Sequence, residues 1–493
     1  MIGAIAQASL FPERMAICSD NASYTYRQLL DSSRTIAQVL LNGRQDLQEE
    51  RIVFMVTPGF DYVSVLWGIW QAGGVAVPLC LSHPAPALDY VLADTQCTSV
   101  IVSPEFSSIV GELCTKRQIQ KLVLEFWPSS PGAALPEVDN GRRAMILYTS
   151  GTTNLPKGVV TTHRNIEAQI TTLVRAWKWN QSDHTLCVLP LHHVHGIINV
   201  VSCSLWIGAC CEFLPEFDAE EVLRNFRRGS VNVFMAVPTI YFKLIAAWEK
   251  EEPGDQQKTS QSLQRMRLMV SGSAALPVSV MERWQSISNH RLLERYGMTE
   301  LGMAISNPYE GERRAGFVGV PLDGVEVRLC NEEGISVKDE PGEIQVRGAN
   351  VFLEYWRQPE ATKKSFTGDG WFRTGDVAVC EGGYYRILGR NSVDIIKSGG
   401  YKISALEIEE VLRTHPTVAD CAVVGLEDEE WGEVVATAIV LKQDALDQGE
   451  LRAWLKERIP PYRIPRKILV VKELPRNAMG KVTKNDVKKL FSR

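Results

Sequence analysis

The sequence predicts an α/β protein with a large N-terminal domain, made of two α/β subdomains and a β-rich subdomain, and a small α+β C-terminal domain. Up to about Gly324, helical patterns alternate with short β-branched runs, which is typical of mostly parallel sheets. Beyond that point the pattern changes to strands separated by glycine turns. The chain of 493 residues is long enough for about three domains of ordinary size.

The N-terminal elements follow in order from hydrophobic spacing. A helix is predicted over residues 24–42, because Leu29, Ile36 and Leu40 recur at helical spacing. A second helix is predicted at Val63–Trp70. Short apolar runs predict buried strands at Arg51–Val56, Gly74–Leu79, Ser99–Val102, Lys121–Leu124, Ala144–Tyr148, Thr185–Leu189, Val231–Ala236 and Arg267–Val270.

The C-terminal domain is predicted to begin at residue 392, which divides the chain into domains 1–391 and 392–493. Ser404 and Glu407 have the spacing of a capping box, and the helix that they start ends before Pro416. The remaining predicted elements are strands Val325–Leu329, Gly342–Arg347 and Gly383–Leu388 before the boundary, and strands Ala419–Val424, Val434–Leu441 and Lys467–Val471 with helix Glu450–Arg458 after it.

Composition and charge exclude several classes of protein. The net charge is −5, from 53 basic and 58 acidic residues, so no strong positive field indicates a nucleic-acid partner. The most apolar segments, Val63–Leu79 and Gly196–Ala209, are interrupted by polar residues and glycine and do not predict a membrane span. The eleven cysteines include no C-x-x-C pair, which favours reduced thiols and a cytoplasmic location.

A loop rich in glycine and hydroxyl groups is the most informative segment. Residues Leu147–Gly158 lie between a predicted strand and a helical pattern that starts near Asn165. Backbone amides and hydroxyls can donate to phosphate oxygens, and a lysine adds positive charge. The spacing is not that of a Walker A loop, and an ordinary polar surface turn is the alternative. The candidate phosphate contacts are Thr149, Ser150, Gly151, Thr152, Thr153 and Lys157.

This loop resembles the phosphate loop of the adenylate-forming superfamily, which comprises acyl-CoA synthetases, adenylation domains and luciferases. Asn154 replaces the usual glycine, and asparagine tolerates a left-handed backbone better than most residues. Other motifs of the superfamily recur in the same order along the whole chain. They are Ser271–Pro277, Tyr296–Glu300, Trp371–Asp376, Gly389-Arg390 and Pro475–Lys481.

The resemblance implies ATP, Mg²⁺ and coenzyme A as cofactors, and it implies roles by position. Glu300 is expected to bind Mg²⁺, Thr299 to meet the phosphate and Asp376 to bind the ribose hydroxyls. A mobile C-terminal domain would rotate about a hinge at Ser392, where the family usually has Asp or Lys, between acyl-adenylate and thioester formation. The other expected residues are Ser273, Ala274, Ala275, Tyr296, Gly297, Met298, Thr299, Arg390 and Lys481 for the nucleotide, Ser398, Gly399, Gly400 and Tyr401 for coenzyme A, and Lys481, Glu300, Thr299 and His193 for catalysis.

Arg295 is the sharpest indication of the acid substrate. An arginine beside the acyl pocket offers a bidentate fork to a second carboxylate, and its charge is costly if it is buried unpaired. The resemblance places Ser273 and His193 next to it. The alternative is that Arg295 points away from the pocket and pairs with Glu294 or Glu300.

The chain is most similar to the malonyl-CoA synthetases within the superfamily. This resemblance implies a small-molecule dicarboxylic acid, malonate or methylmalonate, that is ligated to coenzyme A by a monomer or homodimer. It leaves open whether Arg313 or Arg314 assists. The segments that carry the resemblance are Pro190–Gly196, Glu294–Glu300, Gly311–Gly319 and Ile395–Lys402.

Four alternatives stay open at this stage. One is a nucleotide-binding protein that has lost catalysis. A short- or medium-chain fatty acyl or aryl CoA ligase would share the fold and the nucleotide motifs. A standalone adenylation module would load a carrier protein instead of free coenzyme A. The histidines at 192, 193 and 195 could form a zinc site, although they lack a helical i, i+4 pair and a nearby cysteine.

Overall fold

The structure of the protein, a computed structural model, describes residues 2–19, 22–125, 134–149, 156–442, 446–477 and 480–491. Up to residue 306, strands alternate with helices as the sequence predicts. The strands are β1 (Met15–Ser19), β2 (Ala22–Thr25), β3 (Arg51–Met55), β4 (Val75–Pro78), β5 (Ser99–Val102), β6 (Gln120–Val123), β7 (Arg143–Thr149), β8 (Lys157–Thr162), β9 (His184–Cys187), β10 (Cys210–Phe213), β11 (Val233–Ala236), β12 (Leu268–Ser271), β13 (Leu293–Met298) and β14 (Gly302–Ser306).

The helices of the same region cover the faces of its sheets. A single turn of 3-10 helix lies at Pro104–Phe106, and a π-helical segment lies at His195–Ser202. The α-helices are α1 (Gly3–Ala8), α2 (Tyr26–Leu41), α3 (Phe60–Gln71), α4 (Ala85–Thr95), α5 (Ser107–Arg117), α6 (His163–Ala176), α7 (Cys203–Trp206), α8 (Ala219–Arg228), α9 (Pro238–Trp248), α10 (Pro253–Leu263) and α11 (Val278–Ser288).

The first α/β subdomain is built on the sheet β6-β5-β3-β4-β7-β8. Its strands from β6 to β7 pair in parallel, and every residue of β4 and β5 is buried. Helices on both faces explain why these strands read as continuous apolar runs and not as alternating ones. The sequence does not predict β8, which returns antiparallel to β7 directly after the glycine-rich loop.

The second α/β subdomain is built on the sheet β14-β13-β12-β11-β9-β10-β1-β2. The strands from β13 to β1 pair in parallel, so the carboxyl ends of β9, β11, β12 and β13 meet at one edge. Ligands of open α/β sheets bind at such an edge. The pairing of β1 with β10 joins residues that are far apart in the chain, and no local pattern indicates it.

The β-rich subdomain is tied to both α/β sheets. Its sheet has the order β17-β16-β18-β20-β21, whereas β15 adds to the second α/β sheet and β19 adds to the first. These ties make the region before residue 392 one composite unit. Its elements are β15 (Val320–Pro321), β16 (Val325–Cys330), β17 (Ser336–Val337), β18 (Gly342–Gly348), β19 (Glu354–Tyr355), β20 (Phe372–Glu381), β21 (Tyr384–Arg390) and helix α12 (Pro359–Ser365).

The C-terminal unit has its own sheet, β23-β22-β25-β24 with β26 beside β25, and its own apolar core around Ile403, Ile408 and Ile439. Within the described residues this sheet shares no strand with the others. The elements are β22 (Ile395–Ser398), β23 (Tyr401–Ser404), β24 (Val418–Asp428), β25 (Gly432–Leu441), β26 (Lys467–Val470), α13 (Ala405–Arg413), α14 (Gln448–Lys456), α15 (Lys484–Leu490) and a 3-10 turn at Pro461–Arg463.

The predicted capping box of α13 forms only in part. The Ser404 hydroxyl accepts a hydrogen bond from the Glu407 amide, as predicted. The Glu407 carboxylate does not fold back onto the helix, because it pairs with Arg386 of β21 and with Arg463. The prediction of a full box is therefore wrong, since two arginines compete for the same carboxylate.

Two further findings concern the cysteines and the helices. None of the eleven cysteines, all of which lie in the described residues, is part of a disulfide. In the described part of the chain, no helix has both the length and the apolar character that crossing a membrane requires.

Candidate active site

Three side chains from three elements meet at the carboxyl edge of the second sheet. Arg295 lies on β13 and is 4% exposed. Its Nη2 donates to the Oγ of Ser273, which follows β12, at 3.4 Å. The same Oγ lies 3.3 Å from Nδ1 of His195, the first residue of the π-helical segment. We call these three residues the acyl-end cluster.

The guanidinium of Arg295 has no counter-ion in the described part of the protein. No carboxylate there lies within ion-pair distance, and Nε has no hydrogen-bond partner. Burial lowers the pKa of Arg295 to about 9. The group is still charged at neutral pH, since a guanidinium holds its proton far more tightly than other side chains do. A buried cation without an anion is costly and indicates that a ligand supplies the anion.

The alternative pairing of Arg295 with a neighbouring glutamate is wrong. Glu294, although adjacent in sequence, points to the other side of β13 and accepts from the Leu276 amide at 3.3 Å. The Glu300 carboxylate accepts from the hydroxyl of Tyr355 at 2.9 Å. Successive residues of a strand face opposite sides, which separates Glu294 from Arg295.

Arg313 and Arg314 do not join the acyl-end cluster. The Arg313 guanidinium donates to the backbone carbonyls of Arg291, Pro308 and Tyr309. Arg314 pairs with Glu312 and stacks on a tyrosine ring. Both therefore stabilise the chain after β14 locally.

Backbone geometry after β12 makes room for the Arg295 guanidinium. A Cβ atom on Gly272 would lie 2.5 Å from Arg295 Cζ, which is closer than real atoms approach. Ser273 has a φ of +71°, a left-handed value that is uncommon for a residue with a side chain. This turn lets the hydroxyl of Ser273 reach both Arg295 and His195.

The histidine segment contributes differently from what the sequence predicts. His193, the predicted site residue, lies with its ring centroid 3.9 Å from that of His192, and burial lowers its pKa to about 4. His195, interpreted as a core histidine, contacts Ser273 and leaves Nε2 buried without a partner. Burial and the charge of Arg295 hold the pKa of His195 well below its usual value, so it is neutral. One feature of the sequence could have indicated that His195 is buried. It directly precedes the apolar run that starts at Gly196.

At the opposite end of the site, charges are compensated within the protein. Asp376 on β20 accepts from the Tyr296 hydroxyl at 2.6 Å and from Arg390 Nε at 3.0 Å. Asp376 and Arg390 are partners in the register of β20 and β21, which explains why motifs separated in sequence meet. We call Tyr296, Asp376 and Arg390 the nucleotide-end cluster.

Glu300 is the candidate magnesium ligand, and it lies close to the strand that follows the phosphate loop. Burial raises its pKa, and one carboxylate oxygen accepts from Tyr355. The ammonium of Lys157 lies 4.8 Å from the centroid of the Tyr355 ring, in cation–π geometry. Tyr355 is a residue that the sequence analysis missed, because it reaches the site through the pairing of edge strand β19 with β8.

The ends of the phosphate loop face each other. Thr149 and Lys157 are partners in the antiparallel pairing of β7 with β8. The predicted contacts Ser150, Gly151, Thr152 and Thr153, with Asn154, lie outside the described residues. The other predicted nucleotide residues lie at the carboxyl edge of the second sheet. Ala274 and Ala275 are exposed after β12, Gly297 and Met298 lie on β13, and Thr299 lies in the turn after it.

Lys481 is exposed on the C-terminal unit, on a loop that approaches the N-terminal unit. The preceding Gly480 is so placed that a Cβ atom on it would lie 3.4 Å from Thr239 in the first turn of α9. A cleft of about 490 Å³ separates the units at the predicted hinge. Its lining residues are Thr374, Gly375, Arg390, Asn391, Ser392 and Lys397.

The predicted coenzyme A residues lie on a turn whose flanking lysines face the β-rich subdomain. Ser398, Gly399, Gly400 and Tyr401 form the turn between β22 and β23, in which Ser398 is buried and the others are exposed. The flanking lysines 397 and 402 lie 3.5 and 3.0 Å from Glu332 of the β-rich subdomain. Both units thus meet through exposed ion pairs on this side.

The three histidines do not form a metal site. Among the described residues, the group whose donor atoms are close enough for a metal ion is Cys18, His184 and Cys210, at a different place in the second sheet. The zinc alternative for the segment from His192 to His195 is therefore wrong. The rings of His192 and His193 pack against each other at a tilt of 49° with centroids 3.9 Å apart.

Comparison with known proteins matches this arrangement to one family. The family model for AMP-binding enzymes covers residues 5–356, and the model for the AMP-binding enzyme C-terminal domain covers residues 407–481. The chain belongs to the AMP-binding enzyme family. Each model matches part of one unit, and the predicted residues Asp376, Arg390 and Ser398–Tyr401 lie between the two matched ranges.

This AMP-binding enzyme is similar over nearly its full length to characterised relatives. It is 44% identical to the mitochondrial malonate–CoA ligase of Mus musculus, over 98% of this chain and 89% of the relative. It is also similar in structure to the o-succinylbenzoate CoA synthetase of Bacillus subtilis with ATP and magnesium, with a TM-score of 0.85, 27% identity and 99% of each chain covered.

The chain is also similar in structure to MatB of Rhodopseudomonas palustris. The ATP-bound structure gives a TM-score of 0.91 and the apo structure 0.81, both at 31% identity with 100% of this chain and 99% of that chain covered. At the same sequence identity, the overall similarity is therefore higher to the ATP-bound structure than to the apo structure.

Proposed function

We propose that this AMP-binding enzyme ligates malonate to coenzyme A with ATP, giving malonyl-CoA, AMP and pyrophosphate. The observation that carries the proposal is the buried guanidinium of Arg295, which has no carboxylate partner among the described residues. The similarity to a malonate–CoA ligase over 98% of the chain supports it. A dicarboxylic acid with one carboxylate at Arg295 presents its other carboxylate for reaction.

The acyl-end cluster explains a preference for a short dicarboxylate. Arg295 can donate two parallel hydrogen bonds to the distal carboxylate, and neutral His195 and Ser273 offer further polar contacts. A monoacid of the same length would leave the arginine buried and unpaired, which costs several kcal/mol, on the order of 3–5. An alkyl chain is therefore selected against, because it desolvates the arginine and offers it no hydrogen-bond acceptor.

The nucleotide-end cluster is assigned to ATP and AMP. We infer that Asp376 accepts hydrogen bonds from the ribose hydroxyls, while Arg390 and Tyr296 hold its carboxylate in place. Thr149 and Lys157 flank the loop assigned to the phosphates. Glu300 fits a magnesium ligand, because its buried carboxylate has a raised pKa and needs positive charge nearby. A bound magnesium ion would supply charge that offsets the phosphates.

The reaction needs cations more than proton transfer. A carboxylate oxygen of malonate bonds to the α-phosphorus of ATP while the bond from that phosphorus to pyrophosphate breaks. Two anions must approach each other, so we assign Lys157 and Lys481 to stabilise the developing charge. In the second step the coenzyme A sulfur bonds to the acyl carbon, AMP leaves with the acyl oxygen, and the thiol proton passes to water.

We infer that the C-terminal unit, with a boundary at residue 392, turns between the two steps. In the observed arrangement the lysine loop approaches α9, while the turn Ser398–Tyr401 lies towards Glu332. Exposed ion pairs of this kind contribute about 0–1 kcal/mol, so they do not lock the arrangement. Rotation about Ser392 would move Lys481 out of the active site and bring the turn Ser398–Tyr401 towards it.

Pyrophosphate release measured across a panel of acids tests the proposal. We expect the highest kcat/KM with malonate, a lower value with methylmalonate, and little activity with butyrate, octanoate or benzoate. A higher kcat/KM for any monoacid would establish the fatty acyl or aryl CoA ligase instead. Faster thioester formation on a phosphopantetheinylated carrier than on free coenzyme A would establish the carrier-loading module.

The compartment is a separate prediction. The reduced cysteines favour the cytoplasm, whereas the relative from Mus musculus is named mitochondrial. We propose the cytoplasm, and fractionation of cells that express the natural protein decides. A signal in the mitochondrial fraction would overturn it.

A further inference from the structure

A cluster of sulfur, nitrogen and oxygen donors lies far from the active site. Cys18 is on β1, while His184 and Cys210 are the first residues of β9 and β10. These three strands are parallel neighbours, in which Cys210 pairs with His184 and Cys18 pairs with Glu212. Side chains alternate along a strand, so this register puts all four on one face of the sheet.

The distances in this cluster match those of a tetrahedral metal site. The two sulfurs, Cys18 Sγ and Cys210 Sγ, are 3.6 Å apart. With zinc–sulfur bonds of about 2.3 Å, a tetrahedral zinc ion holds two sulfurs about 3.8 Å apart. Cys18, His184 and Cys210 each offer one donor atom, and these three atoms all lie within 4.8 Å of one another.

Glu212 lies beside this group but is not part of it. Its Oε2 lies 3.0 Å from Nε2 of His184. Although this nitrogen is buried, it has no hydrogen-bond partner, because the carboxylate oxygen lies off the direction in which the ring nitrogen donates or accepts. The donor atoms that lie within 4.8 Å of one another belong to Cys18, His184 and Cys210, so the Glu212 side chain must change its rotamer to complete a four-coordinate site.

We propose that Cys18, His184 and Cys210 bind one zinc ion, and that Glu212 becomes the fourth ligand through a change of its side-chain rotamer. Zinc prefers sulfur and imidazole nitrogen in four-coordinate sites, and a carboxylate oxygen completes the set. Two thiolates, a carboxylate and Zn²⁺ leave one net negative charge. The guanidinium of Arg228, 4.0 Å from Glu212, offsets part of it.

The zinc ion would have a structural role. His184 and Cys210 stand at the amino ends of β9 and β10, whereas Ser273 follows the carboxyl end of the parallel strand β12. The described part of β1 pairs with β10 through Ile17 and Cys18 alone. A metal ion that bridges β1, β9 and β10 would fasten this N-terminal strand to the sheet.

Metal analysis of the untagged full chain tests the proposal. Protein purified under reducing conditions is expected to contain about one zinc per chain, since a structural site is filled when the chain folds. After zinc is removed, Co²⁺ titration should give a thiolate-to-cobalt charge-transfer absorption. Substituting a residue that only hydrogen-bonds to a metal ligand lowers metal affinity by about 10–100-fold. The variants C18S, C210S and H184Q each remove a ligand and should lower the affinity by more than that.

Cys211→Ala provides the matched control. Cys211 is the next residue of the same strand and faces the other side of the sheet, so C211A should bind metal like the wild type. A wild-type chain with neither zinc nor a cobalt band would overturn the proposal. So would equal binding by C18S, or a Cys18–Cys210 disulfide that forms in the presence of excess zinc. Metal content is measured apart from catalysis, so a failure here leaves the malonate proposal untouched.

Discussion

The acyl-end and nucleotide-end clusters lie in one site but compensate their charges in opposite ways. At the nucleotide end, Asp376 is held by Arg390 and by the Tyr296 hydroxyl. At the acyl end, Arg295 is buried and meets a serine hydroxyl but no carboxylate in the described chain. The charges of the nucleotide-end cluster are paired before a ligand binds, whereas the charge of Arg295 needs a ligand to pair it.

Because of this difference, we expect the nucleotide-end cluster to contribute to stability and the acyl-end cluster to contribute to substrate specificity. Removing one member of a compensated buried pair leaves the other charge unpaired, which destabilises the fold. Removing the uncompensated Arg295 takes away a desolvation cost and leaves no partner behind. Substitutions at the two ends should therefore differ in their effects on unfolding as well as on activity.

The largest expected effect comes from Arg295→Met, which removes the charge and keeps much of the volume. We expect kcat/KM for malonate to fall by about 100- to 1,000-fold, as expected for a carboxylate that loses a partner worth about 3–5 kcal/mol. The thermal midpoint should stay unchanged or rise. Kinetics with malonate and butyrate, together with thermal unfolding, check both expectations.

The control for this variant is Arg314→Gln, because Arg314 pairs with Glu312 away from the acyl-end cluster. It should keep the activity of the wild type with malonate. The assignment of Arg295 fails if R295M retains malonate activity, or if malonate and butyrate lose activity equally.

The next largest effect is expected for Asp376→Asn at the nucleotide end. Losing the charge weakens hydrogen bonds worth about 1.5–3 kcal/mol each, so KM for ATP should rise by about ten- to a hundredfold. The loss should be the same for every acid, and the thermal midpoint should fall because Arg390 loses its counter-ion. An acid-dependent loss, or an unchanged melting curve, would contradict the contrast between the two ends.

Much of the fold is predicted from local sequence patterns. The strand Ser99–Val102 agrees residue for residue with β5, since a fully buried parallel strand is a continuous apolar run. By contrast, the pairing of β1 with β10 and of β19 with β8 depends on distant residues. Tyr355 and the group of Cys18, His184 and Cys210 reach their places through strand pairings of this kind, so no motif indicates them.

The candidate site divides in the same way. Arg295 is predicted because its charge is unusual beside an acyl pocket, and the structure places its side chain in the interior. His195 is missed, because its contact with Ser273 depends on the left-handed turn at that serine. Residue type and order therefore predict candidate residues, while the backbone decides which histidine contacts Ser273.

A smaller effect on the acyl end is expected from Gly272→Ala. The added Cβ would lie 2.5 Å from Arg295 Cζ, so the guanidinium must shift. Overpacking of this kind costs about 1–3 kcal/mol, and KM for malonate should rise about tenfold with little change for ATP. Gly254→Ala in α10, where a Cβ meets nothing within 4 Å, is the matched control. An equal rise of KM for ATP would show that the turn does not act through Arg295.

The smallest expected effect concerns Glu294, whose side chain is buried behind Arg295 on the other face of β13. Burial raises its pKa from 4.5 to about 8, so the folded protein keeps a proton that the unfolded chain releases above about pH 4.5. Its contribution to stability is therefore complete below that pH and is lost as pH rises towards 8, by up to about 1.4 kcal/mol per pH unit. Thermal midpoints measured from pH 5 to 8 should fall less steeply in Glu294→Gln than in the wild type or in Glu282→Gln, an exposed control on α11. An equally steep fall in E294Q would mean that this carboxyl is already ionised in the folded protein, and its buried charge would then need a partner other than Arg295.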